Sequence, residues 1–366
     1  MAEPTSDRGE PLANLPWRRE LPQVEAGLEA WAASFRPGAV VSDVRMPASG
    51  MANDTVLFRL GDESLVARLE PAPGSPYPTF PTFDLGLQHR VIELVRRHTD
   101  VPVPDVVHFE RSGDWLGVPF LVVEAVEGVV ASDNPPYLLD PTGWFLQGSP
   151  EQWQRFELAT VGVLVRIHAI DDAEDLAFLR PAAPGTTMLE RQVNGQRAYY
   201  EWARDGLVIP ALERALEVLA RTVPPNEGAV LNWGDSRPGN IIYRDFQPVA
   251  VLDWEMATVG PPEVDLGWAT FFQRFFAHMA QQWGLPPVPA MFERPLVVAR
   301  YEELSGTTLD DLAWYEAFAG LRFGTILARM SLRNIAFGVQ ARPADTDDLV
   351  MFPRLLENLV EEVSGR

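Results

Sequence analysis

The chain has 366 residues, and its hydrophobic (46%), aromatic (10%) and charged (22%) fractions are those of a folded globular protein. Length allows about two domains of ordinary size, and the composition excludes a disordered chain, a collagen and a coiled coil. All 30 basic residues are Arg and there is no Cys, which excludes a Schiff-base lysine, a Walker-type phosphate loop, a disulfide and a cysteine-ligated metal.

The charge pattern bears on partners and on location. A formal net charge of −21 repels nucleic-acid phosphates and anionic lipids, and it would concentrate cationic small molecules near the surface. The first 21 residues contain no apolar signal-peptide core, and no run reaches the roughly 18 apolar residues of a membrane span. We therefore expect a cytoplasmic protein that binds neither nucleic acid nor membrane.

The first third of the chain predicts a terminal arm followed by a small sheet. Residues 1–22 are polar and contain several prolines, as expected of an arm on the surface. Apolar residues at helical spacing follow up to Phe35, where Pro37 and Gly38 end the helix. One further helix is predicted around residues 87–95, among five β-rich runs at residues 39–45, 55–60, 65–69, 106–110 and 119–125.

The remainder of the chain predicts mainly helices. Apolar residues keep a helical spacing from Gln152 onward, and again between Trp314 and Ile326. The sequence therefore predicts three segments: an arm at residues 1–22, an N-terminal lobe at 23–128 and a helical C-terminal lobe at 129–366.

One dense block of polar residues follows the middle of the chain. Two β-forming runs, Ile241–Tyr243 and Val249–Leu252, are separated by a turn-rich link and predict an antiparallel hairpin. Asn240 precedes the first run and Asp253 follows the second, so both lie at the open end of the hairpin, which Asp235 enters from the preceding loop. Three oxygen-bearing side chains therefore converge without a soft ligand, which favours Mg²⁺ over Zn²⁺.

The spacing of Asp235 and Asn240 is that of the catalytic loop of protein kinases, in which the Asp accepts the proton of the acceptor hydroxyl and the Asn holds metal. A second metal-binding Asp follows such a hairpin, as Asp253 does here. Glu255 is either a further metal ligand or a structural partner. Arg237 stands where such loops often place a cation that can lie against the transferring phosphoryl group.

The block resembles the aminoglycoside phosphotransferase and choline-kinase-like group of small-molecule kinases. Their usual form is His-Gly-Asp, four residues, Asn, then a hairpin and Asp-Trp-Glu, which Gly234-Asp235, Asn240 and Asp253-Trp254-Glu255 match. The resemblance covers most of the chain. It implies a bilobal protein-kinase-like α+β fold, with a small antiparallel N-lobe sheet carrying one helix, a larger helical C-lobe and ATP in the cleft.

The resemblance also implies a set of nucleotide-binding residues. Leu65-Val-Ala-Arg68 resembles the strand whose basic residue holds the α- and β-phosphates, and Gln88 aligns with the helix residue that pairs with this base. Backbone groups near Glu124 and Val126 resemble the hinge that binds adenine. The loop between the first two strands is either a nucleotide-covering loop or a plain β-turn, and its candidates are Ser49, Gly50 and Asn53.

Two positions depart from the family pattern. The His of His-Gly-Asp is Trp233 here, so aromatic packing or an indole donor replaces a buried His hydrogen bond. The helix Glu is Gln88, whose amide can orient Arg68 without supplying a counter-charge. Asp265 and His168 are expected to have structural roles, Asp265 by bonding the backbone of the catalytic loop.

The sequence therefore predicts an ATP- and Mg²⁺-dependent phosphotransferase that moves the γ-phosphoryl group to a hydroxyl of a small molecule, with Asp235 as the base. The acidic balance favours an aminoglycoside-like or amino alcohol acceptor only weakly. Two alternatives stay open. One is a pseudokinase that binds nucleotide or a partner without turnover, motivated by Trp233 and Gln88. The other is a metal-dependent hydrolase, for which only Glu255 adds a carboxylate near Asp253.

Overall fold

The computed structural model describes residues 18–47, 54–72 and 74–365. Contacts between residues divide the chain into two compact units, and the division falls within one helix, α2 (Leu85–His98). The N-terminal unit is Met1–His89 with Pro104–Ala125, and the C-terminal unit is Arg90–Val103 with Val126–Arg366. The sequence did not indicate that residues 90–103 pack with the C-terminal unit, and the predicted lobes 23–128 and 129–366 stay predictions.

The N-terminal unit contains a five-stranded antiparallel sheet in the order β1-β2-β3-β5-β4. The prediction of a small antiparallel sheet is confirmed. Its strands are β1 (Val41–Arg45), β2 (Asp54–Leu60), β3 (Glu63–Leu69), β4 (Val106–Glu110) and β5 (Phe120–Glu124).

Helix α1 (Leu21–Phe35) covers one face of this sheet. The ring of its buried Trp31 lies 6.2 Å from that of Phe58 and 5.6 Å from that of Phe120. Strand β3 buries every second residue in the same apolar core, namely Leu65, Ala67 and Leu69. Since successive side chains of a strand point to opposite faces, Arg68 lies on the face away from this core.

The C-terminal unit is mainly helical, as predicted. Two of its helices begin with a capping box, formed by Ser149 with Gln152 and by Thr187 with Glu190, which satisfies backbone N–H groups at the helix start. The helices are α3 (Pro150–His168), α4 (Met188–Ala203), α5 (Pro210–Arg221), α6 (Glu263–Gln282), α7 (Arg294–Ser305), α8 (Ala313–Ala336) and α9 (Pro353–Ser364).

Helices α6 and α8 pack closely in this unit. A Cβ added at Gly267 of α6 would lie 2.6 Å from Cβ of Tyr315 on α8, so a glycine is needed for this approach. Four phenylalanine rings extend the contact, with centroids 5.3–6.2 Å apart: Phe271, Phe275, Phe323 and Phe352. This packing holds the N-terminal turns of α6, which carry Asp265 and Trp268, in place.

Two small antiparallel sheets complete the C-terminal unit. The predicted hairpin is β8 (Ile241–Arg244) with β9 (Gln247–Val251), and β6 (Val129–Val130) adds a third strand. Strands β7 (Val230–Asn232) and β10 (Thr258–Gly260) form the second sheet. The sequence missed β6, β7 and β10 because two or three residues are too few to show an alternating pattern. In the part of the chain that the structure describes, every helix is too short or too polar to cross a bilayer.

Candidate active site

The loop between β7 and β8 carries Asp235 and Asn240. The Asn240 Nδ2 donates a hydrogen bond of 2.7 Å to Oδ2 of Asp235 and one of 3.1 Å to its backbone oxygen. Where the second strand of the hairpin ends, the backbone N–H of Leu252 donates to the Asn240 carbonyl at 2.8 Å. The residue that follows, Asp253, therefore comes to the same end of the hairpin as Asn240, as the sequence predicts.

Asp235 is buried and receives three side-chain hydrogen bonds. Besides Asn240, the Nε1 of Trp268 and the Nε of Arg237 each donate to Oδ1 at 2.8 Å. Burial, with the negative charge of Asp253 as a second cause, raises the pKa of Asp235 to about 7, although the bonds from Asn240 and Trp268 oppose the shift. A carboxyl group with a pKa near neutrality suits proton transfer at neutral pH.

Arg237 lies between two carboxylates. Its Nε binds Asp235, its Nη1 pairs with Asp133, and its guanidinium lies 5.4 Å from the ring centroid of Phe272. Burial lowers the pKa of Arg237 to about 10, against the opposing charges of Asp253 and Glu255, so the side chain stays positive at neutral pH. The predicted cation thus lies beside Asp235, and Asp133 is a partner that the sequence did not suggest.

Asp265 holds the backbone of the loop. Its Oδ2 accepts the N–H of Trp233 at 2.7 Å and its Oδ1 accepts the N–H of Gly234 at 2.9 Å. The Nε2 of His168 lies 3.1 Å from Oδ2, and Tyr301 contacts the other ring nitrogen at 3.0 Å. The structural roles expected for Asp265 and His168 match these contacts.

Gly234 permits the turn that presents Asp235. Its φ of +91° lies in a region that side chains disfavour, and an added Cβ would lie 2.0 Å from the backbone oxygen of Met256. The glycine of the motif is therefore required by close backbone approach as well as by conformation.

Trp233 takes the place of the family's histidine and is fully buried. Its indole Nε1 donates to the backbone oxygen of Leu252 at 2.9 Å and to that of Asp253 at 3.2 Å. Its ring packs 5.8 Å from that of Trp254. Both expected replacements, aromatic packing and an indole donor, occur together, and they join the catalytic loop to the segment that carries Asp253.

The donor atoms at this end of the hairpin fit Mg²⁺. Asn240 uses its amide nitrogen on Asp235, which leaves the amide oxygen for a cation. Asp253 is half-buried and has a left-handed φ of 60°, and half-buried Glu255 is two residues further on. Among the described residues no group of three or more His, Asp or Glu forms a metal site. Mg²⁺ needs no such group, since it is bound through one or two protein oxygens together with substrate phosphates.

The predicted nucleotide-binding residues divide between the two units. Arg68 and Gln88 lie in the N-terminal unit, where Gln88 is buried and its Nε2 bonds no described residue. The group of Gln88 that could accept from the Arg68 guanidinium is the amide oxygen, so the expected hydrogen bond stays a prediction. A carboxylate would attract the guanidinium by its negative charge. The neutral amide of Gln88 exerts no such attraction.

The two predicted hinge residues, Glu124 and Val126, lie on either side of the boundary between the units. Glu124 ends β5 in the N-terminal unit, and Val126 begins the C-terminal segment. The N–H of Glu124 already donates to the Asp105 carbonyl at 2.9 Å, so it is not the group that would meet adenine. The remaining loop candidates, Ser49, Gly50 and Asn53, lie outside the described residues.

The sequence missed two residues beside Asp235. Trp268 stands three residues after Asp265, a helical spacing that would have placed both on the same side of α6. Arg322 on α8 donates from Nη2 to the Gly234 carbonyl at 3.0 Å. Its signal was an arginine within an otherwise apolar stretch of helix.

Family comparison adds to this geometry. Residues 43–294 match the phosphotransferase enzyme family, APH, and the chain belongs to this family. A candidate aminoglycoside phosphotransferase of Ralstonia eutropha is similar with a TM-score of 0.65 at 20% identity, over 93% of this chain and 97% of the other. A thermostable mutant of aminoglycoside phosphotransferase APH(4)-Ia, in complex with ADP and hygromycin B, gives a TM-score of 0.58 at 18% identity, over 93% and 100%. The chain thus has the protein-kinase-like fold of these enzymes.

A relative among curated sequences is the mouse (Mus musculus) acyl-CoA dehydrogenase family member 10. It is 25% identical over 298 residues, which are 78% of this chain and 26% of the relative. The chain thus spans about a quarter of the length of that relative.

Proposed function

We propose that this protein is a small-molecule kinase that transfers the γ-phosphoryl group of ATP to an acceptor hydroxyl, with Asp235 as the general base. The observation that carries the proposal is the state of the Asp235 carboxylate. It is buried, its pKa is raised to about 7, and hydrogen bonds fix its orientation. A carboxylate offers about four acceptor positions, of which three are used here, so Oδ2 keeps one for the hydroxyl of the acceptor.

The other residues of the site have separate tasks. We assign Asn240 and Asp253 as the Mg²⁺ ligands, with Glu255 as a further carboxylate beside them. Bound Mg²⁺ supplies positive charge to the phosphates, which carry the developing negative charge during transfer. Arg237 adds a second positive charge next to Asp235 and keeps the base oriented for in-line attack.

In the N-terminal unit, Arg68 is assigned to the inner phosphates of ATP. Its place on the face of β3 away from the α1 core is compatible with that role. The APH(4)-Ia structure supports the choice of ligands, since that protein was solved with ADP and hygromycin B bound.

Two measurements test the proposal. First, ATP with Mg²⁺ should raise the melting temperature of the protein, because a ligand that binds only the native state stabilises it, and chelation of Mg²⁺ should weaken the effect. Second, ATP consumption against hydroxylated acceptors should exceed that of the Asp235→Asn variant. No shift at millimolar ATP, or equal consumption by both proteins with every acceptor, would refute the kinase.

A nucleotide-binding module without turnover is the second candidate. Gln88 favours it, because a neutral amide supplies no counter-charge to the Arg68 guanidinium, whereas the carboxylate usual at this position does. The Gln88→Glu variant separates the two, since a carboxylate would attract the Arg68 guanidinium. A gain in ATP affinity and in turnover indicates a kinase with a weakened clamp. A gain in affinity alone, with no acceptor-dependent turnover in either protein, indicates the binding module.

A further inference from the structure

The two oxygens of the Asp235 carboxylate have different numbers of partners. Oδ1 accepts the Trp268 Nε1–H and the Arg237 Nε–H, each at 2.8 Å. Among the described residues, Oδ2 accepts only the Asn240 Nδ2–H, at 2.7 Å. A carboxylate oxygen has about two acceptor positions, so Oδ1 is fully used and Oδ2 keeps one. The protein therefore holds the proposed base by Oδ1, and Oδ2 is the oxygen left for the acceptor hydroxyl.

Trp268, one of the two donors to Oδ1, is buried between aromatic rings and a cation. The rings of Phe272 and Phe323 lie 5.5 and 6.2 Å from the indole, measured between centroids. The guanidinium of Arg322 lies over the same indole, 4.6 Å from the ring centroid. A cation over an indole face is attracted to it, so Arg322 helps to fix the ring from which Nε1 donates.

Arg322, on helix α8, also holds the backbone next to the base. Its Nη2 donates to the Gly234 carbonyl at 3.0 Å. This carbonyl belongs to the planar peptide unit that joins Gly234 to Asp235, so the hydrogen bond fixes the plane of that unit. One side chain of α8 thus acts on the base by two routes, through the peptide before it and through the indole bound to its Oδ1.

The burial of Arg322 is not explained by helix packing. Its exposed fraction is 8%, and its buried Nη1 has no hydrogen-bond partner among the described residues. Asp265 and Asp235 attract its charge, but within the described chain neither accepts a hydrogen bond from it. Burying a charge lowers stability unless it is paired and hydrogen-bonded, so an apolar side chain would serve the contact between α6 and α8 better. The guanidinium therefore indicates a role in the site.

We propose that Trp268 and Arg322 are positioning residues for phosphoryl transfer, which hold Oδ1 and the preceding peptide of Asp235 and so keep Oδ2 directed at the acceptor hydroxyl. The inference rests on the proposed kinase function. In the transfer, the acceptor oxygen bonds to the γ-phosphorus and the hydroxyl proton passes to Oδ2. The bond from that phosphorus to the β,γ-bridging oxygen breaks, and its electron pair leaves with ADP. A misplaced base slows this step without affecting ATP binding.

The indole proton of Trp268 tests the arrangement without any acceptor. In protein carrying isotopically labelled tryptophan, its magnetic resonance signal is the one missing from Trp268→Phe, and a hydrogen bond to a carboxylate shifts this signal downfield. We expect Arg322→Met, which removes the charge and the donor, to move the signal upfield. Arg322→Lys, which restores a charge, should move it less.

Glu316→Gln is the matched control for the signal. Glu316 is also a buried charged residue of α8, but it binds Arg274 and Arg294 instead of the catalytic loop. The Trp268 signal should therefore stay in place in this variant. An unchanged signal in Arg322→Met, or an equal movement in Glu316→Gln, overturns the inference.

Turnover tests whether the positioning matters for the reaction. ADP release from Mg²⁺–ATP is measured with water as the acceptor, in variants whose melting temperatures show a folded protein. We expect Trp268→Phe and Arg322→Met each to lower kcat about ten-fold or more, with KM for Mg²⁺–ATP unchanged. Neither should lower kcat further in the Asp235→Asn background, because both act through that carboxylate. An unchanged kcat, or an equal fold loss in that background, counts against the inference.

The two proposals fail in different ways. Without stabilisation by Mg²⁺–ATP the kinase falls, whatever the indole signal shows. If Mg²⁺–ATP stabilises the protein but the variants leave the signal and kcat unchanged, the kinase stands, and Trp268 and Arg322 only pack α6 against α8. If ADP release with water does not exceed that of Asp235→Asn, the indole signal decides alone.

Discussion

The carboxylate of Asp265 accepts the backbone N–H of Trp233 at 2.7 Å, and so joins the first turn of α6 to the loop that carries the proposed base. Its second oxygen binds the N–H of Gly234 at 2.9 Å, one residue before Asp235. The hydroxyl of Ser236 closes the same connection by donating to the Asp265 backbone oxygen at 2.7 Å. Both sides of Asp235 in the chain are therefore held by one residue, and the position of the base depends on it.

The Asp265→Ala variant should lose both stability and activity. It leaves two buried N–H groups without an acceptor, and each such group costs about 1–3 kcal/mol. We expect the free energy of unfolding to fall by about 3 kcal/mol or more, measured by urea denaturation. Asp265→Asn retains one side-chain oxygen for one N–H, so its free energy of unfolding should lie between those of the unmodified protein and of Asp265→Ala. A loss below about 1 kcal/mol in the alanine variant would show that the loop does not need this anchor.

The Trp233→Phe variant separates the two contributions of the indole. Phenylalanine keeps an aromatic ring in the buried position but removes the donor to the carbonyls of Leu252 and Asp253. We expect a loss of about 1–3 kcal/mol in the free energy of unfolding, since buried carbonyls lose a partner. Mg²⁺–ATP affinity should weaken as well, because the indole fixes the backbone of Asp253, the proposed metal ligand. Unchanged affinity would confine the indole to a packing role.

The variants Asp235→Asn and Asp253→Asn should differ in kind. Loss of the general base should lower kcat by about 10²–10⁴-fold while Mg²⁺–ATP affinity is retained. Loss of the metal-binding carboxylate should weaken Mg²⁺–ATP binding itself, because one of few protein oxygens for the cation is gone. Nucleotide-dependent shifts in melting temperature, read beside steady-state kinetics, distinguish the two. An equal loss of nucleotide affinity in both variants contradicts this division of roles.

The core of the site could be predicted because its residues are close in the chain. Asp235, Asn240 and Asp253 lie on one loop and one hairpin, so their spacing and the turn chemistry bring them together. Partners from distant elements could not be found in this way. Trp268 bonds Asp235, Arg322 bonds the Gly234 carbonyl and Asp133 pairs with Arg237, and each comes from an element whose place beside the loop is fixed by tertiary packing.

The same distinction holds for the fold. Strands β1 to β5 were predicted because they are long enough to alternate, whereas β6, β7 and β10 are fixed by pairing partners that are distant in the sequence. The predicted contact of Gln88 with Arg68 stays a prediction, since it depends on the amide oxygen of Gln88, whereas the atom without a partner is Nε2.

The last prediction concerns pH. Asp235 in its buried site has a pKa of about 7, so it is largely protonated below that value and then cannot accept the proton of the acceptor hydroxyl. The plot of log kcat/KM against pH should therefore rise with unit slope up to about pH 7 and level above it. An aspartate in the unfolded chain loses its proton near pH 3.9, so between about pH 4 and 7 the native state binds the extra proton, and this group lowers stability as pH rises through that window. Asp235→Asn should remove that part of the pH dependence of unfolding. A rate that stays level down to pH 5, with the same pH dependence of unfolding in both proteins, would show that Asp235 is ionised throughout and that burial does not set its pKa.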